Sequence, residues 1–177
     1  MAEKQQQRQQ QEKKKKTTYR KILVPHDGSD PSDRSLECAA KVARAAGARI
    51  TLLNIVEEIP VPPLLHPPQM HSKATGETVS MEKYLKELYQ ELKGEATRML
   101  NAKREKLYSE AAPDVVVDVK VVVGYPSDEI LQFAREEQCD LIVMGTKGLR
   151  GASRVAALGS VARKVSEGAD CPVILVS

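Results

Sequence analysis

Leu141-Ile142-Val143-Met144-Gly145-Thr146-Lys147-Gly148 passes from four consecutive apolar residues straight into a glycine-bracketed turn. An unbroken apolar run has no solvent side, so it reads as a strand buried on both faces, the condition of a parallel sheet covered by helices. The glycines remove Cβ atoms from the main chain just beyond the strand's carboxyl end, which is where open α/β sheets bind ligands.

Working outward, the same sequence grammar recurs. Upstream, Lys21-Ile22-Leu23-Val24-Pro25 is an apolar run ending in His26-Asp27-Gly28-Ser29-Asp30-Pro31. Asp30 is the expected helix cap there and Pro31 suits the first helical position. Leu36, Ala39, Ala40, Val42 and Ala43 recur at helical spacing within Ser35 to Ala46, and Gly47 supplies the stop. Ile50 to Val56 then reads as a buried strand. Tyr84, Leu85, Leu88, Leu92, Met99, Leu100 and Leu107 mark an amphipathic helix from Met81 to Ser109, closed by Ala111-Ala112-Pro113. Val115 to Val123 is a β-branched strand whose polar Asp118 and Lys120 suit a position near a sheet edge. A helix is predicted over Pro126 to Gln138, a short one over Ser160 to Glu167, and a last strand over Val173 to Val176. The order βαβαβαβαβ implies an open parallel sheet with right-handed crossovers.

Composition agrees and excludes several function classes. With 177 residues, of which 41% are hydrophobic and 3% aromatic, the chain suits one domain with an aliphatic core. Residues 1 to 18, a Gln run followed by four lysines, read as a disordered basic tail, leaving 19 to 177 as the domain. The overall charge is +3, but the first twenty residues alone carry seven cations against Glu3 and Glu12, so the remainder is net acidic. No nucleic-acid-binding face follows from such a balance. Cys38, Cys139 and Cys171 show no CxxC spacing and no disulfide framework, and are expected to behave as small apolar groups in a reducing, cytoplasmic setting. No stretch is apolar enough to span a membrane and the N-terminus has no apolar signal core. Between Glu57 and Ser80, five prolines (Pro60, Pro62, Pro63, Pro67 and Pro68) exclude a regular element and suggest a long excursion able to act as a lid. His66 and His71 within it match no metal-ligand spacing.

Three segments lie at the expected ligand end: Pro25 to Ser29, Ile55 to Glu57, and Met144 to Ser160. Glycines at 145, 148, 151 and 159 allow backbone N–H groups to approach an anion. Gly159-Ser160 opens a helix, whose dipole favours phosphate. The weaker alternatives are that Asp27 merely caps a turn and that the glycines are ordinary turn residues, whereas Lys147, Arg150 and Arg154 read as solvated loop cations rather than as polyphosphate partners.

Ile22-Leu23-Val24-Pro25-His26-Asp27-Gly28-Ser29, Leu141 to Gly148, and Gly159-Ser160-Val161-Ala162 together resemble the universal stress protein family, and the resemblance spans about Tyr19 to Ser177. It implies an α/β fold with a Rossmann-like open five-stranded parallel sheet, order 3-2-1-4-5, with helices on both faces. It further implies binding of ATP, with Mg²⁺, by a stress-response regulator or nucleotide-gated interaction module. Asp27 would meet the ribose hydroxyls and Ile55 would wall the adenine, with Pro25 and Met144 completing the wall. Gly145, Gly148, Gly159, Ser160 and Val161 resemble the phosphate cradle. Ten residues separate Gly148 from Gly159 where the family pattern has nine, and Ala162 stands where the family often has a polar residue. A homodimer paired through Val173 to Val176 and a further protein partner are also implied, with no specific nucleic acid and no membrane.

Two other readings remain. One is a nucleotide-free family member acting only through protein contacts. The other is an ATP-dependent adenylating enzyme, against which residues 26 to 30 lack the Ser-Gly-Gly-x-Asp-Ser pattern. No Ser/His/Asp or Cys/His arrangement is readable, and His26 is the one candidate base near the cleft. At most slow ATP hydrolysis is expected, without a dedicated catalytic residue.

Overall fold

The computed structural model describes residues 19–61, 70–72, 75–148 and 158–177. The predicted tail, His66, Arg150 and Arg154 lie outside them. Among the described residues the elements run β1 (Lys21–Pro25), α1 (Asp30–Ala46), β2 (Arg49–Glu57), β3 (Met70–His71), β4 (Thr78–Val79), α2 (Met81–Glu110), β5 (Val117–Gly124), α3 (Pro126–Glu136), β6 (Leu141–Gly145), α4 (Ser160–Gly168) and β7 (Val173–Val176).

Five of the strands form one parallel sheet in the order β5-β2-β1-β6-β7, the expected 3-2-1-4-5 winding of the long strands. The chain builds outward from β1 through β2 to β5, then returns to the other side of β1 to add β6 and β7. That reversal opens a crevice between the carboxyl ends of β1 and β6. β5 is an edge strand, as its alternating polar residues led us to expect.

Strand periodicity divides the core in two. Ile22 and Val24 face one side, with Leu52, Leu141 and Val143, and pack on α1 and α2 through Leu36, Ala39, Ala43, Leu100 and Leu107. Leu23 faces the other, with Leu53, Ile142 and Met144, and packs on α3 and α4 through Ile130, Ala134, Ala162 and Val165. The small alanines of α1 let that helix lie close to the sheet.

Helix boundaries differ from expectation where capping chemistry decides them. Ser29, not Asp30, caps α1: its side chain accepts from the Ser32 amide at 3.4 Å, so Asp30 and Pro31 already lie inside the helix. α3 stops at Glu136 because Gln138 takes a left-handed conformation, φ 53°, while the Cys139 amide reaches back to the Ala134 carbonyl at 2.8 Å. The Glu57 to Ser80 excursion is not wholly irregular, since Met70–His71 pairs antiparallel with Thr78–Val79. That hairpin sits against the N-terminal half of α2, where the Ser72 hydroxyl donates to Glu87 at 2.7 Å. Cys139 is buried and Cys171 half-buried, and burial pushes both thiols up, Cys139 to about 11. They serve as small apolar groups, as expected.

Candidate functional site

The nine residues selected from sequence all line one cavity of about 630 Å³ at the carboxyl end of the sheet. Pro25, Asp27 and Ile55 reach it from the ends of β1 and β2. Met144, Gly145 and Gly148 reach it from β6 and its turn, and Gly159, Ser160 and Val161 from the start of α4.

The floor of the site is the β1 turn. Gly28 has φ 92°, a left-handed conformation that bends the chain immediately after Asp27. Asp27 Oδ1 accepts from the Ser29 amide at 3.1 Å and from its hydroxyl at 2.6 Å. Asp27 is therefore a turn-forming residue and a cavity residue at once; the two readings of it are not exclusive. Its other oxygen faces Gly148, where an added Cβ would lie only 2.5 Å from Asp27 Oδ2. Any side chain at 148 would collide with that carboxylate before reaching open cavity.

The remaining glycines serve different ends. An added Cβ at Gly145 would lie 2.9 Å from Pro31 Cβ, so the absence of a side chain there lets β6 pass the start of α1. The Gly159 amide donates to the Thr146 carbonyl at 2.7 Å, and the Thr146 amide to the Val176 carbonyl at 2.8 Å. The first bond stitches the two ends of the turn together and removes the Gly159 amide from the set expected to meet an anion, and the second ties the start of the turn to β7. What α4 does present is its first turn: Ser160, Val161 and Ala162 carry the amides that a helix leaves without intrahelical partners. Gly159 provides no side-chain cap, and the turn contains no acidic residue.

Beside Asp27, the His26 side chain is fully buried. Its Nε2 lies 3.0 Å from Asp33 Oδ1, and its Nδ1 accepts from the Gly28 amide at 3.2 Å. Burial lowers its pKa below the ordinary 6.5, although Asp33 pulls the other way. With both nitrogens engaged inside the fold, the ring is not placed as the candidate base that the sequence offered.

Sequence reasoning missed Asn54, Tyr125, Ser127 and Lys164, which also line the cavity, as does Glu57 at the end of a segment it had placed there. The signal was present at Gly124-Tyr125-Pro126-Ser127, a strand end followed by a proline-started helix as at residues 25 to 31. Register places it: Gly124 pairs with Glu57, so the end of β5 rises beside that of β2. Lys147, set aside as a solvated loop cation, also lines the cavity.

A model of the universal stress protein family matches residues 18–177. The chain is 33% identical over 158 residues to universal stress protein YxiE of Bacillus subtilis, covering 89% of this chain and 99% of that protein. Universal stress protein UspA from Lactobacillus plantarum shares the fold with a TM-score of 0.70 at 25% identity, covering 90% of this chain and 98% of that one. A universal stress protein in complex with cAMP has a TM-score of 0.58 at 22% identity, covering 90% and 98%, and at that distance testifies to the fold alone. Sheet order and cleft together define a Rossmann-like, doubly wound α/β protein with its cavity at the switch point. Within that class the chain belongs to the universal stress protein family. Among the described residues no helix is long and apolar enough to cross a membrane.

Proposed function

We propose that this protein binds an adenine nucleotide, ATP in the first instance, and works as a nucleotide-gated regulator of the stress response rather than as an efficient enzyme. The observation that carries the reading is the facing of two unlike surfaces across one cavity: the bare first turn of α4 and the Asp27 turn, with Gly148 between them. The α4 end is positive through its dipole and free amides, which suits phosphate. Lys147 and Lys164 add charge on that side. Pro25, Ile55 and Met144 supply the apolar wall for a base, and Asp27 the acceptor for ribose hydroxyls. The cAMP complex of a distant relative accords with this but does not carry it.

Among the described residues no three His, Cys, Asp or Glu gather as a metal site. Mg²⁺ would therefore arrive on phosphate oxygens, the usual manner for this ion, and would supply charge neutralisation there. With both His26 nitrogens engaged, the ring is not placed to activate water, and hydrolysis of bound ATP is expected to be slow.

Glu57 lines the cavity and opens the excursion that leads to the β3–β4 hairpin, so occupancy is felt at that surface and offered to a protein partner. β7 ends the sheet with Leu175 exposed, which suits pairing with a second copy. Light scattering on the purified protein is expected to give twice the chain mass, and the chain mass alone would remove the dimer.

The nucleotide-free reading draws on two observations: Asp27 Oδ1 already has partners in Ser29, and the Gly159 amide is already bonded. Denaturing the purified protein and analysing the supernatant by chromatography separates the two. Released ATP or another adenine nucleotide supports the first reading. A clean supernatant, together with no heat on titration with ATP, selects the second.

A further inference from the structure

His26 is among the residues lining the cavity, next to Asp27, and ties together α1, β2 and its own turn. Its Nδ1 accepts the Gly28 amide at 3.2 Å and lies 3.3 Å from the Ser32 hydroxyl; its Nε2 lies 3.0 Å from Asp33 Oδ1. Asp33 in turn binds Lys103 of α2 through Oδ2 at 2.6 Å. The main chain of His26 is tied to β2, its carbonyl accepting from the Asn54 side chain at 2.8 Å and its amide donating to the Leu53 carbonyl at 2.9 Å, so the ring projects from a fixed backbone.

These partners dictate one protonation state. The Gly28 N–H is a donor with no acceptor capacity, so the Nδ1 opposite it must carry a lone pair. Nε2 must then carry the proton, which it donates to Asp33. We propose that neutral His26 is the positioning residue of the nucleotide site: it holds the Asp27 turn in its binding shape, and gaining a second proton releases that turn. The inference rests on the nucleotide reading above and adds a regulatory input, acidity, to it.

A proton on Nδ1 would oppose the Gly28 N–H, breaking the bond that fixes the residue after Asp27. The charged groups around the ring are Asp33 on α1, Lys103 on α2 and Asp27 on the turn itself. Asp33 and Asp27 favour the charged ring and Lys103 opposes it, while burial, the largest influence, also opposes it, so the folded protein holds the ring neutral below the ordinary 6.5. The sign follows. A histidine whose folded pKa is depressed contributes stability that is complete above pH 6.5 and is lost as pH falls from there toward the folded pKa. Nucleotide affinity is lost on the same side, as protons compete for the turn.

The test is calorimetric titration of the full chain with ATP between pH 5 and 8, for wild type, His26→Asn and His26→Leu. Asn places an amide oxygen near the Nδ1 position and does not titrate; Leu offers no acceptor. We expect Asn to bind within about threefold of wild type at pH 8 and Leu to bind at least about tenfold more weakly, about 1.4 kcal/mol. Below its folded pKa wild type should lose up to about tenfold in affinity per pH unit beyond the loss shown by Asn, in which ATP's own titration is the same. Parallel pH profiles for wild type and Asn would overturn the proposal. A second readout needs no ligand: long-range proton–nitrogen spectra should show His26 as the Nε2–H tautomer, and the Gly28 amide should lose exchange protection as His26 titrates. An Nδ1–H tautomer or an indifferent Gly28 amide overturns the proposal even if ATP binds. Absence of ATP binding at every pH with the expected tautomer and a responsive Gly28 amide would instead count against the nucleotide reading, leaving His26 as the keeper of the turn.

Discussion

The amino ends of α1 and α4 open onto the same cleft and are finished in opposite ways. α1 is self-sufficient: Ser29 caps it, Asp30 and Asp33 lie in its first turn, and the Asp33 amide bonds the Ser29 carbonyl. α4 has a glycine at its cap, no capping side chain and no acidic residue in its first turn. Both ends carry the same partial positive charge from their peptide dipoles. In α1 the chain's own groups answer that charge, and in α4 it is left for something else. On the proposed nucleotide reading, a helix terminus would become a receptor through what the sequence withholds, while its neighbour is satisfied by a serine and two aspartates.

The sharpest way to break the contrast is to fill the space between the two ends. Gly148→Val would drive a side chain into the Asp27 carboxylate, and we expect ATP affinity to fall by about a hundredfold, about 2.8 kcal/mol, with the circular dichroism spectrum retained. Titration calorimetry reads the loss. Next, Ser160→Asp gives α4 the acidic first turn that α1 has. Two effects of opposite sign are expected: ATP affinity drops by about tenfold, while unfolding free energy rises by about 0.5 kcal/mol from the favourable dipole interaction. Chemical denaturation and calorimetry on one preparation check both. The smallest effect comes from stripping α1. Ser29→Ala should cost about 1 kcal/mol of stability through the lost cap, with a smaller change in affinity than Ser160→Asp gives, because the Ser29 amide still holds Asp27.

How far the sequence carried this comparison depends on what kind of interaction set each end. Apolar runs such as Leu141 to Met144 disclosed the parallel sheet, because burial on both faces leaves no room for alternation. The glycine positions disclosed the cleft, since their distance along the chain from strand ends is fixed locally. The cap of α1 was misread by one residue because Ser29 and Asp30 are both competent caps, and only the reach of the Ser29 hydroxyl to Ser32 separates them. Tyr125 and Ser127 escaped notice because their arrival at the cavity depends on the pairing of β5 beside β2, a long-range matter. The same holds for the Gly159 amide, whose partner Thr146 lies across a turn, and for His26, whose partners come from α1 and β2 as well as its own turn. The pairing of Met70–His71 with Thr78–Val79 was hidden by the prolines that precede it in sequence, whose expected effect was extended over the whole of Glu57 to Ser80.

The central claim is that the bare α4 terminus, and not the capped α1 terminus, receives the phosphates. Amide shift mapping of the labelled protein during titration with ATP, and separately with adenosine, tests it most directly. The account predicts that the Ser160, Val161 and Ala162 amides move with ATP and stay still with adenosine, while those of Ser32 and Asp33 hold their positions in both. Saturable ATP binding that leaves the three α4 amides unmoved would contradict it.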